Sequence, residues 1–192
     1  RAYSPPVPDD PIVNGDFEAG PGVGWGEYSL NGFPIVMDSG FLITPHSGSC
    51  LAWLGGFSYE IAYVEHTFTF PSGRSFLYFW YCLVFLNTIC STEQASLLVN
   101  GTPVKTYALC TSTNTPGWVE QVVNLGAYAG QTVPLRFQAE TSLSASSWYV
   151  EDVSFEVTVV VADTAGVSIP AAPDPGLSPA RKVKIAPDAS QP

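Results

Sequence analysis

Ser96-Leu97-Leu98-Val99-Asn100-Gly101-Thr102-Pro103-Val104 reads as two short apolar runs joined by Asn-Gly. Asn and Gly both accept positive φ, so the pair predicts a type I′ turn, whose twist matches that of flanking strands. Similar punctuation recurs along the chain at Asn14-Gly15, Asn31-Gly32, Pro71-Ser72-Gly73, Pro116-Gly117 and Ala129-Gly130. Between these signals lie short apolar or alternating segments. They predict strands over 34–38, 49–54, 60–70, 74–86, 94–100, 103–109, 118–125, 132–139 and 147–161. Many short strands at this spacing argue for an all-β antiparallel sandwich rather than alternating β and α units. Asn100-Gly101-Thr102 is also an N-glycosylation sequon, but the tight turn accounts for those residues without a sugar.

Composition agrees with that reading. Charged residues are 12% of the 192, about half the usual ~25%, while Trp, Tyr and Phe number 5, 9 and 11. Few charges with many aromatics and turn formers disfavour helices and suit strands. The formal charge of -10 argues against nucleic acid, which needs a clustered basic surface. The run Phe76 to Leu86 is too short to cross a bilayer as a helix, which takes ~20 residues. It predicts a strand buried on both faces. The sequence starts at Arg1 without a hydrophobic signal segment, as a processed secreted or cell-surface protein would.

Three regions follow from these patterns. Residues 1–11 predict an N-terminal extended arm, 12–161 the β domain, and 162–192 a Pro-rich tail without aromatic residues. Within the tail, Arg181-Lys182-Val183-Lys184-Ile185 alternates as a strand does. A basic strand of this kind could add to the acidic body of a second copy.

The cysteines Cys50, Cys82, Cys90 and Cys110 contain no CxxC and fit no common zinc spacing. An even count in such a chain predicts disulfides in an oxidising compartment. The 96–104 hairpin brings Cys90 and Cys110 to the open end of one ladder, so these two should pair. Cys50 with Cys82 follows by elimination. His46 and His66 are the only histidines, and no nucleophile elbow, HExxH, P-loop or dinucleotide fingerprint is present. The chain reads as non-enzymatic.

Two segments carry the most specific signal: Asn14-Gly15-Asp16-Phe17-Glu18-Ala19-Gly20 near the start, and Trp148-Tyr149-Val150-Glu151-Asp152-Val153-Ser154-Phe155 at the far end. Between them stand Gly24-Trp25, Ser47-Gly48-Ser49-Cys50-Leu51-Ala52-Trp53-Leu54-Gly55-Gly56, Trp118 and Leu125-Gly126-Ala127-Tyr128-Ala129-Gly130. In this order they resemble the galactose-binding-like β-jelly-roll domains of carbohydrate-binding modules and secreted bacterial multidomain proteins. The resemblance covers about residues 12–156. It implies a two-sheet antiparallel jelly roll and, in many members, a structural calcium. Matched residue by residue, Glu18 and Glu151 would be side-chain ligands with Asp152 beside them, and Asp16 and Ser49 would supply carbonyl oxygens. Calcium independently wants six to eight hard oxygens.

Sugar binding in such modules uses aromatic platforms flanked by polar side chains. Trp53, Trp80 and Trp118 lie in strand patterns and are expected in the core. Tyr28, Phe57, Tyr59 and Tyr149 are the candidate glycan contacts. Two functions are consistent with these features. The first is a secreted structural subunit that assembles with other copies of itself through its terminal arms into a filament or sheath. The alternative is a calcium-stabilised carbohydrate-binding module of a larger enzyme or adhesin.

Overall fold

A computed structural model describes residues 10–38, 42–85, 88, 90 and 93–155. Residues 1–9 of the N-terminal arm lie outside the described residues, as does everything from 156 onward, including the tail strand Arg181 to Ile185. The strands, in chain order, are β1 (Gly26–Ser29), β2 (Val36–Met37), β3 (Leu51–Gly55), β4 (Ile61–Thr69) and β5 (Phe76–Val84), then β6 (Gln94–Val99), β7 (Thr102–Ala108), β8 (Val119–Asn124), β9 (Thr132–Glu140) and β10 (Ser147–Phe155). They form two five-stranded antiparallel sheets, ordered β1-β4-β9-β6-β7 and β2-β3-β10-β5-β8. This is the jelly-roll sandwich that the sequence resemblance implied. Among the described residues the only helical pieces are 3-10 turns at Thr111–Thr113 and Gly126–Tyr128, and no helix is long and apolar enough to cross a membrane.

The β6–β7 hairpin forms as its turn residues require. Asn100 and Gly101 have φ of 50° and 74°, the positive values of a type I′ turn. Elsewhere side chains take backbone groups at the ends of strands. β2 is two residues long instead of five, and Glu27 Oε2 accepts the N–H groups of Ile35 and Val36. Glu18 Oε1 accepts those of Ser49 and Cys50, so β3 starts at Leu51. The four residues of β1 fall outside the strands expected from sequence, because Gly-Glu-Tyr-Ser has no apolar alternation to signal them.

Alternate residues point to opposite faces, and parity sorts the core. Leu77, Phe79 and Leu83 of β5 join Leu135, Phe137 and Ala139 of β9 in the inter-sheet core, with Trp25 and Trp148. The tryptophans expected in the core behave differently. Trp53, Trp80 and Trp118 are half-buried, whereas Trp25 and Trp148 are 2% and 0% exposed. Trp53 shares its face with Leu51 and Trp80 with Cys82. There a smaller cluster of Leu51, Cys82 and Tyr149 is partly covered by Ile43, Trp53, Val84 and Trp118. Hence β5 is the more deeply buried on its inner face, where Leu77, Phe79 and Leu83 are buried and Tyr81 half-buried. On its outer face Phe76 is 39% exposed.

The same parity corrects one disulfide. Cys90 and Cys110 are bridged, with Cα atoms 5.0 Å apart. Cys50 and Cys82 are free thiols. Cys50 packs toward the inter-sheet core and Cys82 belongs to the outer cluster. Cys50 immediately precedes β3, Cys82 lies in β5, and β10 runs between those two strands, so the two side chains pack in different clusters and stay unbridged.

Candidate functional site

The outer face of the β1-β4-β9-β6-β7 sheet is built in cross-strand rungs. Tyr28, Tyr63, Gln138, Ser96 and Thr106 are successive register partners across all five strands. Ile61, Glu140, Gln94 and Ala108 form the rung on one side, and Gly26, Glu65, Arg136 and Leu98 the rung on the other. Interleaved positions such as Ala62, Val64, Leu135, Phe137, Ala95 and Leu97 point into the core. With strands ~4.8 Å apart, the long rung spans about 19 Å.

Side chains along these rungs hold one another in place. The Tyr28 and Tyr63 rings stack with centroids 5.0 Å apart. The Arg136 guanidinium lies 4.0 Å from the Tyr63 ring centroid, a cation–π contact. Arg136 also pairs with Glu65 Oε2 at 2.7 Å and donates to Gln138 Oε1 at 3.2 Å. Gln138 Nε2 in turn donates to Glu140 Oε1 at 2.6 Å. The hydroxyls of Ser96 and Thr106 are 3.2 Å apart. The result is a strip, half-exposed along most of its length with Ser96 buried, that has aromatic rings at one end and a relay of donors and acceptors along it. At the far end Glu140, Gln94, Thr106 and Glu93 line a concavity of about 350 Å³.

Glu93 fixes the wall of that concavity. Its carboxylate accepts the N–H groups of Ser142, Leu143 and Ser144 and the hydroxyls of Ser144 and Ser146. Burial opposes its ionisation, but hydrogen bonds led by those of Ser144 and Ser146 outweigh it and hold the pKa down at about 2. The β9–β10 loop is thereby wrapped around one carboxylate.

The four acids named from the resemblance gather around the β2–β3 loop and the segment after Ile12. Gly15 O accepts Val153 N at 2.8 Å, which joins the two segments. Glu18 binds Ser49 N and Cys50 N at 2.7 and 2.6 Å. Glu151, fully buried, accepts His46 N and Ser47 N at 3.0 and 2.8 Å. Asp152, at φ 50° in the irregular stretch of β10, pairs with His46 Nδ1 at 2.7 Å and Ser47 Oγ at 2.9 Å. Asp16 and Asp152 line a shallow concavity of about 360 Å³. Burial first, then the neighbouring Asp152 and Glu18, pushes Glu151 up to about 7, against the hydrogen bonds from Ser47 and His46.

These residues fit a hard cation in charge and in atom type. Carboxylates from separate segments lie close enough that Asp152 and Glu18 both raise Glu151; Glu18 Oε1 is filled by its two N–H donors, so Glu18 would offer an ion its Oε2. His46, Glu151 and Asp152 bring their ligating atoms within 4.8 Å of one another. His46 escaped the sequence reading, which saw only a loop histidine. Its ring stacks on Trp80 at 3.9 Å.

Of the glycan candidates, Tyr28 lies on the rung and is 41% exposed. Phe57 and Tyr59 lie in the β3–β4 loop and are 37% and 65% exposed. Tyr149 is corrected: it is 0% exposed, in the outer cluster beside Cys82, and offers no surface to a sugar. Tyr63, Arg136 and Gln138 were missed. Their i, i+2 spacing with Glu65 and Glu140 was readable, but only the β4–β9 register places them beside Tyr28.

No protein-family profile matches the chain, and no curated protein is similar to it in sequence. Solved structures do share its fold. The K3 cleaved adhesin domain of Lys-gingipain from Porphyromonas gingivalis W83 superposes with a TM-score of 0.56 at 16% identity, over 77% of this chain and 99% of that one. The carbohydrate-binding module TmCBM61, in complex with β-1,4-galactotriose, gives 0.55 at 14% identity, over 78% and 99%. The K1 cleaved adhesin domain of Lys-gingipain gives 0.54 at 12%, over 74% and 95%. At such identities the likeness is one of fold, which hosts many functions.

Proposed function

We propose that this chain is a non-catalytic extracellular module that binds an uncharged glycan across the outer face of the β1-β4-β9-β6-β7 sheet. The observation that carries this reading is the rung Tyr28–Tyr63–Gln138–Ser96–Thr106, with Arg136 seated on Tyr63. Sugar rings offer apolar faces to aromatic side chains and hydroxyls to polar ones, and this strip supplies both in one line. Because Glu65 neutralises Arg136 and the chain carries a formal charge of -10, polyanionic glycans are repelled. Sharing a fold with a module that holds β-1,4-galactotriose supports the reading. Assembly into a filament rests on residues 181–185, which lie outside the described residues, and nothing in the sandwich adds to it.

Calcium belongs to the same proposal. Glu18, Glu151 and Asp152 would hold the ion with carbonyl oxygens of Asp16 and Ser49. It would neutralise the acids and stiffen the β2–β3 loop.

Titration of the protein with neutral oligosaccharides, galacto- and gluco-configured, tests the function. Saturable binding that is lost in both Tyr63→Ala and Arg136→Met supports it. Absence of binding across the set, or binding untouched by both substitutions, would overturn it.

A further inference from the structure

A second site lies where the sandwich is open. β1 is the edge of one sheet and β2 the edge of the other, and between them sits a cavity of about 200 Å³. Its walls include Phe33, Pro34, Met37, Trp53 and Phe57. The Phe33 and Phe57 rings stack at 3.7 Å and tie the β1–β2 loop to the β3–β4 loop. Gly56, at φ 79°, lets the chain pass close over the Trp53 ring: a Cβ there would lie 2.6 Å from it.

The polar groups around this cavity are spent on one another. Ser29 Oγ donates to Glu60 Oε1 at 3.0 Å and accepts Phe33 N at 3.0 Å. Glu60, 1% exposed, also accepts Leu30 N and Asn31 Nδ2 at 2.7 and 2.6 Å. Trp53 Nε1 donates to Ser147 Oγ at 3.0 Å. Apart from the Glu60 carboxylate, a glycan would find its polar partners here already engaged, so most of its hydroxyls would be buried unpaired at a cost. An anion would also face the Glu60 carboxylate. A peptide strand adding to β2 is blocked as well, because Glu27 already holds the N–H groups of Ile35 and Val36.

We propose that this cavity binds a small uncharged ring compound, aromatic or alicyclic, of one or two rings. The volume is below the ~300–1,000 Å³ of drug-sized sites, and apolar cavities on the order of 150 Å³ take up a benzene-sized ligand. Aromatic walls provide dispersion contacts and edge-to-face partners for such a ring. This site is separate from the glycan strip: Ser29 lines the cavity, while its neighbour Tyr28 faces the other side of β1.

Met37 is the one methionine of the chain, so methyl-labelled methionine gives a single resonance inside the site. Titration with benzyl alcohol is expected to move that resonance saturably, whereas benzoate at equal concentration leaves it in place. Phe33→Ala and Phe57→Ala each remove an exposed wall, and each is expected to weaken benzyl alcohol roughly tenfold while the spectrum stays that of the folded chain. An unmoved methyl, equal shifts with benzoate, or undiminished binding in both variants would overturn the proposal. None of those results bears on oligosaccharide binding at Tyr63 and Arg136, so the two readings stand or fall separately.

Discussion

Glu18 and Glu151 grip opposite halves of one loop: Glu151 takes the N–H groups of His46 and Ser47, and Glu18 those of Ser49 and Cys50. Residues far apart in sequence thus position the same short segment just before β3. Four N–H groups partly compensate the two carboxylates, but Glu151 still sits near 7 because burial and the adjacent acids outweigh them.

That imbalance makes calcium testable by melting. Chelated protein is expected to melt lower than protein with calcium, and Glu18→Gln should abolish the difference. An ion at 100 times its Kd adds ~2.7 kcal/mol, or roughly 5–10 °C for a chain of this size. Superimposable curves with chelator and with calcium would remove the ion from the account.

Glu93 predicts acid sensitivity. Its folded pKa of about 2 lies below the ordinary 4.5, so its contribution is present above pH 4.5 and is lost as pH falls toward 2. Glu93→Gln is expected to cost about 1.5–3 kcal/mol at pH 7, the range of hydrogen bonds to a charged group. It should also flatten the acid limb of the stability curve. Denaturant melts at pH 7 and pH 3 check both, and a variant with an unchanged acid limb would contradict the assignment.

On the glycan strip, Tyr63→Ala should weaken a bound neutral oligosaccharide at least about tenfold, equivalent to ~1.4 kcal/mol. Arg136→Lys keeps the charge but loses the planar contact with Tyr63 and the forked pairing with Glu65. It is expected to weaken binding as well, with calorimetry as the readout. Retention of full affinity by Arg136→Lys would mean that only the charge matters.

The thiols give a chemical check. Under native conditions an alkylating reagent should modify half-buried Cys50 slowly and buried Cys82 not at all, since burial raises the pKa of each thiol. Unfolding without reductant should release both, and peptide mapping should still show Cys90 joined to Cys110. Reducing that bond is expected to cost about 2–4 kcal/mol. Rapid native labelling of Cys82 would contradict its place in the outer cluster.

The sequence by itself determined the fold class. Asn100-Gly101 dictates its own turn, period-2 patterning marks most strands, and the Cys90–Cys110 pair follows from the hairpin between them. Those features are local, so a few neighbouring residues suffice to specify them. What sequence could not settle was which face of each strand is covered, because alternation says that two faces differ without saying what packs on each. Tertiary packing decided that Trp25 and Trp148 are core while Trp53 and Trp80 stay half-buried. It also packed Cys50 against the inter-sheet core and Cys82 in the outer cluster. Strand register, a relation between residues far apart in sequence, brought Tyr28, Tyr63, Arg136 and Gln138 together, and the strip exists only through that pairing.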